Sequence, residues 1–430
     1  IRRLDGSHVV VTWWLHGGYM VVIHAHLVQP LERDRALGQP LPPAGGADKK
    51  ERTNAMLGAL EQDVAVGAVT APDGGSDMLA AVRAITDNNL HPIVNQIDRE
   101  GVYPDAVMRA LGAAGAYSQH VGAEPRLDLA TEAMAIVGEE CLSTSFCMWC
   151  QNAMAWYLAN TPNEALKSKM LRAVSTAALG AGTGLSNPMK TFFGIEKMRL
   201  KGVKADGGYV VSGTLPWVSN IGEDRYFGAI FGSDGGDGPP VMFCVDCSAP
   251  GVSLSQNASF TALEGTRTYA VKFKEHFVPD DMILADPAGE FVRDIRAGFI
   301  LMQCGMAAGL IEGCLQIMRQ TDKSHEHVNR FLPDRPDAIA EKLAALKEEV
   351  VILCQTPYET SDDYFRAVLK ARLAGSDLSL VAAQAAMLHA GARGYLYEAP
   401  AQRRLRESYF VAIVTPASKQ LAKMLHDMDA

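Results

Sequence analysis

The chain has 430 residues, of which 40 are Lys or Arg and 49 are Asp or Glu, so its formal net charge is -9. A hydrophobic fraction of 48% excludes an intrinsically disordered protein, and the acidic balance argues against nucleic acid as a partner, because such binding depends on Lys and Arg neutralising phosphates. Eight cysteines are too few for a disulfide scaffold, so the expected location is a reducing cytoplasm.

Residues 1–55 are predicted to lie outside the folded part of the chain. The sequence begins with Ile1, and an apolar run near it is interrupted by four histidines and a Gly-Gly pair. A membrane span needs about 20 apolar residues without such interruptions, so no stable membrane insertion is expected. A linker rich in Pro and Gly follows at 39–50. We interpret 1–55 as a disordered or artefactual extension with Met56 as the start, and an interfacial membrane anchor is the alternative.

Helical patterns dominate residues 56–174, which form the predicted N-terminal helical domain. Ser76 is a candidate N-cap of a first helix, because its hydroxyl can accept from an unpaired backbone N–H group. Another helix is predicted to open after Tyr103. The stretch from Leu129 to Leu158 is apolar on nearly all sides, which predicts that it is buried.

The periodicity changes in residues 175–285, where short β-branched and aromatic runs such as Val241–Val245 alternate with turn residues. This pattern is typical of an antiparallel β domain. Helical periodicity returns in residues 286–430. There Phe299–Met318 is nearly all apolar, interrupted by Gln303, and predicts the central helix of a four-helix-type bundle. The expected fold class is therefore α+β, mainly α.

Two Cys-x-x-Cys spacings and one His-rich segment are candidate metal sites. Cys244 and Cys247 lie in a strand-like run, where side chains three residues apart point to opposite faces and cannot share a metal. Cys147 and Cys150 lie in an apolar stretch, where cysteines behave as small hydrophobic residues. The His-Glu-His run at 325–327 lacks a third ligand at metal spacing. We therefore expect no metal.

Four motifs, in order and with matching spacing, resemble segments of the acyl-CoA dehydrogenase flavoprotein superfamily. Gly208–Asn220 is similar to its Y.v.G.K.WI[ST]N segment, and Phe273–Leu284 to the f..v.VP..n.L end of its β domain. Ala307–Glu312 resembles the glycine-bearing part of its central helix, and Gly391–Tyr395 resembles its GG.G[FY] motif. The likeness begins near Leu57 and implies a helical–β–helical fold, FAD as cofactor, and a homodimer or homotetramer.

The resemblance also implies that three residues contact the cofactor bound by the same subunit. Trp217 would form one wall of the flavin ring, and Ser219 would offer a hydroxyl at the N5 edge. Ser186 stands at the serine of the loop that reaches the flavin pyrophosphate, although the Thr-Glu-Pro that opens this loop in the family reads Gly-Ala-Gly at 180–182. Without the resemblance, Trp217 is a core residue that ends a strand.

Three further residues are implied to contact the cofactor of the neighbouring subunit. They are Gly391, Arg393 and Gly394, where glycine permits close approach of the backbone. The alternative interpretation of the two glycines is a simple C-cap turn at the end of a helix.

Most family members use a carboxylate to remove the proton α to the thioester carbonyl. Counting residues from the matching motifs does not place a carboxylate at either of the positions where the family carries it. The count from Tyr395 places Thr415 at the base position, and the count back from Gly309 places Phe299 at the alternative position on the central helix. Neither side chain can take a proton from carbon at neutral pH, so the catalytic residue stays unknown.

Three functions are therefore open. The first is an FAD-dependent oxidoreductase that acts on the CH–CH group of a small acyl substrate such as a CoA thioester. The second is a flavin-dependent monooxygenase or oxidase on the same scaffold, whose oxygen chemistry needs no carbanion base. The third is a non-catalytic subunit that has kept the scaffold and lost the site.

Overall fold

The computed structural model describes residues 2–4, 8–14, 20–26, 75–256 and 258–429. The chain divides into two units, 1–65 and 66–430. In the first unit, strands β1 (Arg2–Leu4), β2 (His8–Trp14) and β3 (Met20–His26) form an antiparallel sheet in that order. Much of the segment 1–55, and Met56 with it, lies outside the described residues. Its interpretation as an extension stays a prediction.

Six α-helices come first in the described part of the second unit. They are α1 (Gly75–Ile85), α2 (Val94–Glu100), α3 (Asp105–Ala113), α4 (Leu127–Glu140), α5 (Leu142–Asn160) and α6 (Glu164–Ser175). Because α1 begins at Gly75, Ser76 lies inside its first turn and the prediction that Ser76 is the N-cap is wrong. The apolar stretch from Leu129 to Leu158 is buried as predicted, but Cys141 adopts an extended conformation (φ -147°, ψ 112°) that separates α4 from α5.

The middle of the chain forms one twisted sheet. Its strands are β4 (Ala181–Thr183), β5 (Lys201–Ala205), β6 (Gly208–Val218), β7 (Tyr226–Gly232), β8 (Pro240–Asp246), β9 (Val252–Ser255), β10 (Tyr269–Pro279) and β11 (Ile283–Ala285), and the short helix α7 (Ser186–Phe192) follows β4. The order is β11-β8-β7-β5-β6-β10-β9, with β4 beside β7. The sheet was predicted to be antiparallel but is mixed, because β4 and β5 pair in parallel with β7 across long connections. Cys244 packs in the helical core and Cys247 in the core of the sheet, so the two thiols lie on different faces as predicted.

Five helices complete the unit: α8 (Gly289–Asn329), α9 (Pro336–Leu353), α10 (Asp362–Ala390), α11 (Pro400–Ile413) and α12 (Ser418–Asp429). The predicted central helix is confirmed as α8, which runs for 41 residues. Within the described part of the chain, α8 is the one helix long and apolar enough to cross a membrane. However, 94% of its most apolar window is buried inside the fold, as expected of a core helix.

Glycines allow α8 to lie unusually close to α4. A Cβ atom built at Gly305, Gly309 or Gly313 would lie between 2.3 and 2.6 Å from a backbone carbonyl oxygen of α4. The three glycines are four residues apart and therefore share one face of α8. This face joins the N-terminal helices to the C-terminal bundle.

His120 is a fully buried histidine beside α5. Its Nε2 lies 2.9 Å from the carbonyl oxygen of Asn152, and its ring centroid lies 6.1 Å from that of Trp156. Burial lowers the pKa of His120 to about 4, because the charged imidazolium would lose its hydration.

Acid should therefore destabilise the fold through His120. The pKa of His120 is lower in the folded state than in the unfolded state, where it is about 6.5. The stability that the neutral, buried imidazole contributes is therefore fully present above pH 6.5 and is lost as the pH falls towards 4. In His120→Gln, we expect the free energy of unfolding to fall by about 2–3 kcal/mol less between pH 6.5 and 4 than in the wild type. Urea unfolding followed by circular dichroism measures this. The exposed His426→Gln is the control, and equal slopes in all three proteins would contradict the prediction.

Candidate functional site

Trp217 stands at the end of β6 with its indole largely in solvent. The side chain is 62% exposed, and its nearest aromatic partner is Phe260, whose ring lies edge-on at 6.4 Å between centroids. The interpretation of Trp217 as a core residue is therefore wrong. An exposed, flat apolar face of this size beside polar groups is typical of a binding surface.

Ser219 lies two residues further along, at the end of a row of hydroxyls. Its Oγ is 2.7 Å from Thr268 Oγ1, which is 2.8 Å from Thr266 Oγ1, and Thr266 donates to the carbonyl oxygen of Leu263. A carbonyl only accepts and each hydroxyl has one hydrogen, so Thr268 must donate to Thr266 and Ser219 to Thr268. The hydroxyl oxygen of Ser219 is therefore left free to accept a hydrogen bond from another group.

The loop that carries Ser186 lies against this strand end. Thr183 forms a β-bridge with Ser219 and is held from the other side by the hydroxyl of Tyr157, at 2.8 Å. A Cβ atom at Gly182 would lie 2.4 Å from the carbonyl oxygen of Ser219, so the loop can approach this closely only with glycine there.

Position 180 requires glycine for a different physical reason. A Cβ atom there would lie 2.8 Å from Nε of Arg225, whose guanidinium occupies the space beside the loop. Arg225 is buried and donates to Asn220 Oδ1 at 3.0 Å. A buried arginine thus fills the volume that a larger side chain at position 180 would take.

Ser186 and Thr415 meet although 229 residues separate them in sequence. Their hydroxyl oxygens are 2.8 Å apart, with Ser186 exposed and Thr415 buried. The carbonyl oxygen of Thr415 accepts from Gln303 Nε2 at 2.9 Å, and Gln303 Oε1 accepts from Arg372 Nε at 2.8 Å. No motif or periodicity in the sequence indicated Arg372. The signal for Gln303 was its place as a polar interruption in the apolar run of α8.

Phe299, at the alternative base position, is enclosed by aromatic rings. Its centroid lies 4.8 Å from that of Trp149, edge to face, and 6.3 Å from that of Tyr157. Its carbonyl oxygen accepts from the indole N–H of Trp149 at 3.2 Å. This part of α8 is packed core and offers no group for proton transfer.

Arg406 and Glu407, both on α11, are bound within the chain. Arg406 forms ion pairs with Asp98 of α2 at 2.5 and 2.9 Å. Glu407 is 1% exposed and lies 3.4 Å from Arg403 and 2.9 Å from Arg404. The carboxylate of Glu407 therefore holds buried arginines and is not free to serve as a base.

A groove of about 900 Å³ is lined by Gly391, Arg393 and Gly394. Gly391 ends α10 with φ 58° and ψ -143°, and its N–H donates to the carbonyl of Met387, so its backbone conformation requires glycine. A Cβ at Gly394 would lie 2.7 Å from that of Ala390. The helix-end interpretation thus explains both glycines. Arg393 is exposed, and the contacts of all three with a partner's cofactor stay predictions.

Across residues 75–256 and 258–429, no group of three or more His, Cys, Asp or Glu side chains is placed to hold a metal ion. All eight cysteines are free and buried.

Comparison with known proteins supports one family. A family model described as acyl-CoA dehydrogenase, N-terminal domain, matches residues 75–178. The human mitochondrial short-chain specific acyl-CoA dehydrogenase is 22% identical over 360 residues, which cover 80% of this chain and 86% of that protein. These matches support the acyl-CoA dehydrogenase superfamily.

Two solved structures illustrate the range of this acyl-CoA dehydrogenase fold. Butyryl-CoA dehydrogenase from Megasphaera elsdenii matches with a TM-score of 0.71 at 17% identity, over 84% of this chain and 99% of that one. A nitrososynthase from Micromonospora carbonacea var. africana matches with a TM-score of 0.69 at 17% identity, over 84% and 98%. The predicted helical–β–helical arrangement of the acyl-CoA dehydrogenases is confirmed.

Proposed function

We propose that the protein is an FAD-dependent oxidoreductase that acts on the CH–CH group of an acyl thioester or a related acyl substrate. The observation that carries this proposal is the exposed indole of Trp217 beside the acceptor hydroxyl of Ser219, at the strand end where the resemblance places the flavin. The matches of the chain to this family, and its fold, support the same conclusion.

The residues at the strand end fit a flavin. Trp217 offers a flat apolar face to the ring, and the oxygen of Ser219 would accept a hydrogen bond from the N5–H group that the ring carries when it is reduced. Ser186 is exposed and lies where its hydroxyl can donate to an anionic oxygen. FAD, when bound, would supply the hydride-accepting chemistry that protein side chains lack.

The proposed assembly is a homodimer or homotetramer. Three large apolar side chains, Phe331, Tyr395 and Leu396, are 77%, 85% and 64% exposed. Leu388, which lines the same groove as Gly391 and Arg393, is also half exposed. Apolar side chains exposed to this degree favour contact with another subunit. The eight free, buried thiols favour a reducing cytoplasm.

A flavin-dependent monooxygenase or oxidase is the second candidate. Among the described residues, Thr415 forms its side-chain hydrogen bond with a hydroxyl, and its carbonyl accepts from an amide. Neither partner is a carboxylate that could abstract a carbon-bound proton. The nitrososynthase that shares the fold illustrates another chemistry on this scaffold. A non-catalytic subunit is the remaining alternative.

The test begins with the flavin. We expect the purified protein to bind FAD and to show its visible spectrum, and Trp217→Ala to weaken FAD binding about tenfold through loss of ring contact. Titration of the apoprotein with FAD, followed by fluorescence quenching, measures both. Phe277→Ala removes a half-exposed aromatic from β10 of the same sheet and serves as the control. A protein that takes up no FAD would leave the non-catalytic subunit as the answer.

The reaction is tested on the loaded protein. Anaerobic addition of acyl-CoAs of increasing chain length should bleach the flavin spectrum of a dehydrogenase. An absence of bleaching, together with oxygen consumption when NADH and a flavin reductase are present, would replace the first candidate by the monooxygenase.

A further inference from the structure

Arg372 is a fully buried arginine in the middle of α10. Its guanidinium donates to Gln303 Oε1 at 2.8 Å, to the carbonyl oxygen of Val411 at 2.7 Å and to the hydroxyl of Ser376. All three acceptors are neutral, and within the described part of the chain no Asp or Glu pairs with Arg372. Burial lowers the pKa of Arg372 to about 10, so the side chain is still charged at neutral pH.

These contacts hold two carbonyl groups at the turn between α11 and α12, one just before the turn and one within it. Val411 lies in the last turn of α11, and its carbonyl is bound directly by Arg372. Thr415 lies in the turn, and its carbonyl is bound by Gln303, which Arg372 in turn orients. The side chain of Thr415 then meets Ser186 at 2.8 Å.

Capping of α11 is the simpler explanation, because Arg side chains commonly bind the last carbonyls of helices. It accounts for the contact with Val411 alone. It leaves unexplained the Gln303 amide that joins Arg372 to Thr415, and the burial of a guanidinium without a carboxylate, which is unfavourable.

We propose that Arg372, acting through Gln303, is a positioning residue that fixes Thr415 against Ser186 and holds a permanent positive charge beneath the turn. The site would then favour a negatively charged group at Thr415, such as an oxyanion or carboxylate of the substrate. The catalytic meaning of this inference rests on the proposed function. Its geometry can be tested without flavin.

The charged and titratable groups around the turn are few. On α8, Cys304 is the group that acts on Arg372, and burial raises its thiol pKa to about 12, so it is neutral. On the α7 side, Lys190 and Glu196 pair with each other at 3.0 Å. Lys419 on α12 is exposed. Among these groups, Arg372 is the buried charge that hydrogen bonds link to the turn, directly at Val411 and through Gln303 at Thr415.

A thiol placed by Thr415→Cys reports on this charge. Position 415 is 9% exposed, whereas the eight native cysteines are at most 3% exposed, and burial raises the pKa of each of their thiols, so they should react more slowly than the new thiol. We would measure the rate of alkylation by iodoacetamide against pH. Adding Arg372→Met should raise the midpoint of this profile by about one pH unit, because a thiolate is stabilised by a nearby cation. Arg372→Lys should restore most of the original midpoint.

Ser379→Ala is the matched control. Ser379 is also buried in α10, but its hydroxyl donates to the carbonyl of Gly375 and does not reach the turn. Combined with Thr415→Cys, it should lower the melting temperature and leave the midpoint unchanged. If Arg372→Met does not fold, Gln303→Leu breaks the same link and should accelerate alkylation by freeing the turn.

An unchanged midpoint in Arg372→Met, or unchanged alkylation in Gln303→Leu, would overturn the proposal. Failure of the wild type to bind FAD would remove the proposed function and leave this result intact. The two failures are therefore distinguishable.

Discussion

Replacing Gly309 by Ala is expected to lower the free energy of unfolding by about 3 kcal/mol, because the new methyl group would overlap the backbone of a neighbouring helix. The added Cβ would lie 2.3 Å from the carbonyl oxygen of Ala135 and 2.7 Å from Cα of Gly138. Neither is a flexible side chain that could turn away. The whole of α4 would have to move from α8, which would open contacts along both helices.

Gly289→Ala is the control for this change. Gly289 begins the same helix, and a Cβ there would meet nothing within 4 Å. Its replacement should leave stability unchanged or raise it slightly, because alanine favours the helix. Urea unfolding followed by circular dichroism compares the two variants. Equal stabilities would show that α8 and α4 are not in the close contact described.

Replacing Glu407 by Leu is expected to cost about 3–5 kcal/mol, the usual loss when one member of a buried ion pair is removed. Arg403 and Arg404 are 5% and 2% exposed, so their charges would stay buried without the carboxylate that lies between them. Glu407 also accepts from the backbone N–H of Leu142, at 3.3 Å. The variant would therefore leave donors unpaired on α5 as well as on α11.

Glu407→Gln should be less harmful, because the amide oxygen still accepts from one arginine and keeps the volume of the side chain. Glu398→Gln, on an exposed side chain just before α11, provides the control and should be nearly neutral. Thermal unfolding orders the three variants. A loss for Glu407→Leu no larger than that for Glu398→Gln would sink the idea that Glu407 holds the two arginines.

The order of the fold could be predicted because the hydrophobic period changes along the chain. A period of 3.6 gives way to short β runs at residues 175–285 and returns in α8, and these local patterns survive in the structure. The break at Cys141 could not be predicted, because a single extended residue between two helices hardly interrupts the helical pattern of the sequence. The parallel pairing of β4 with β7 also left no local signal, since it depends on distant residues.

The candidate site was predictable only where a motif carried it. Trp217, Ser219 and Ser186 follow from the resemblance, and Thr415 follows from counting along the chain. Arg372 sits among mixed residues of a long helix, and its burial arises from contacts 39 and 69 residues away. No periodicity reports such contacts, so its role required the structure.

The glycine face of α8 also bears on how the second unit folds. All three parts named along the sequence contribute to one hydrophobic cluster, which contains Met134 of α4, Met242 of β8 and Leu310 of α8, while the other face of the sheet has a core of its own. Removing the N-terminal helices would expose the glycine face and this core to water. The boundaries at 174 and 285 therefore separate helical from β structure, but the three parts are expected to unfold together in one cooperative transition. The C-terminal bundle should not fold on its own.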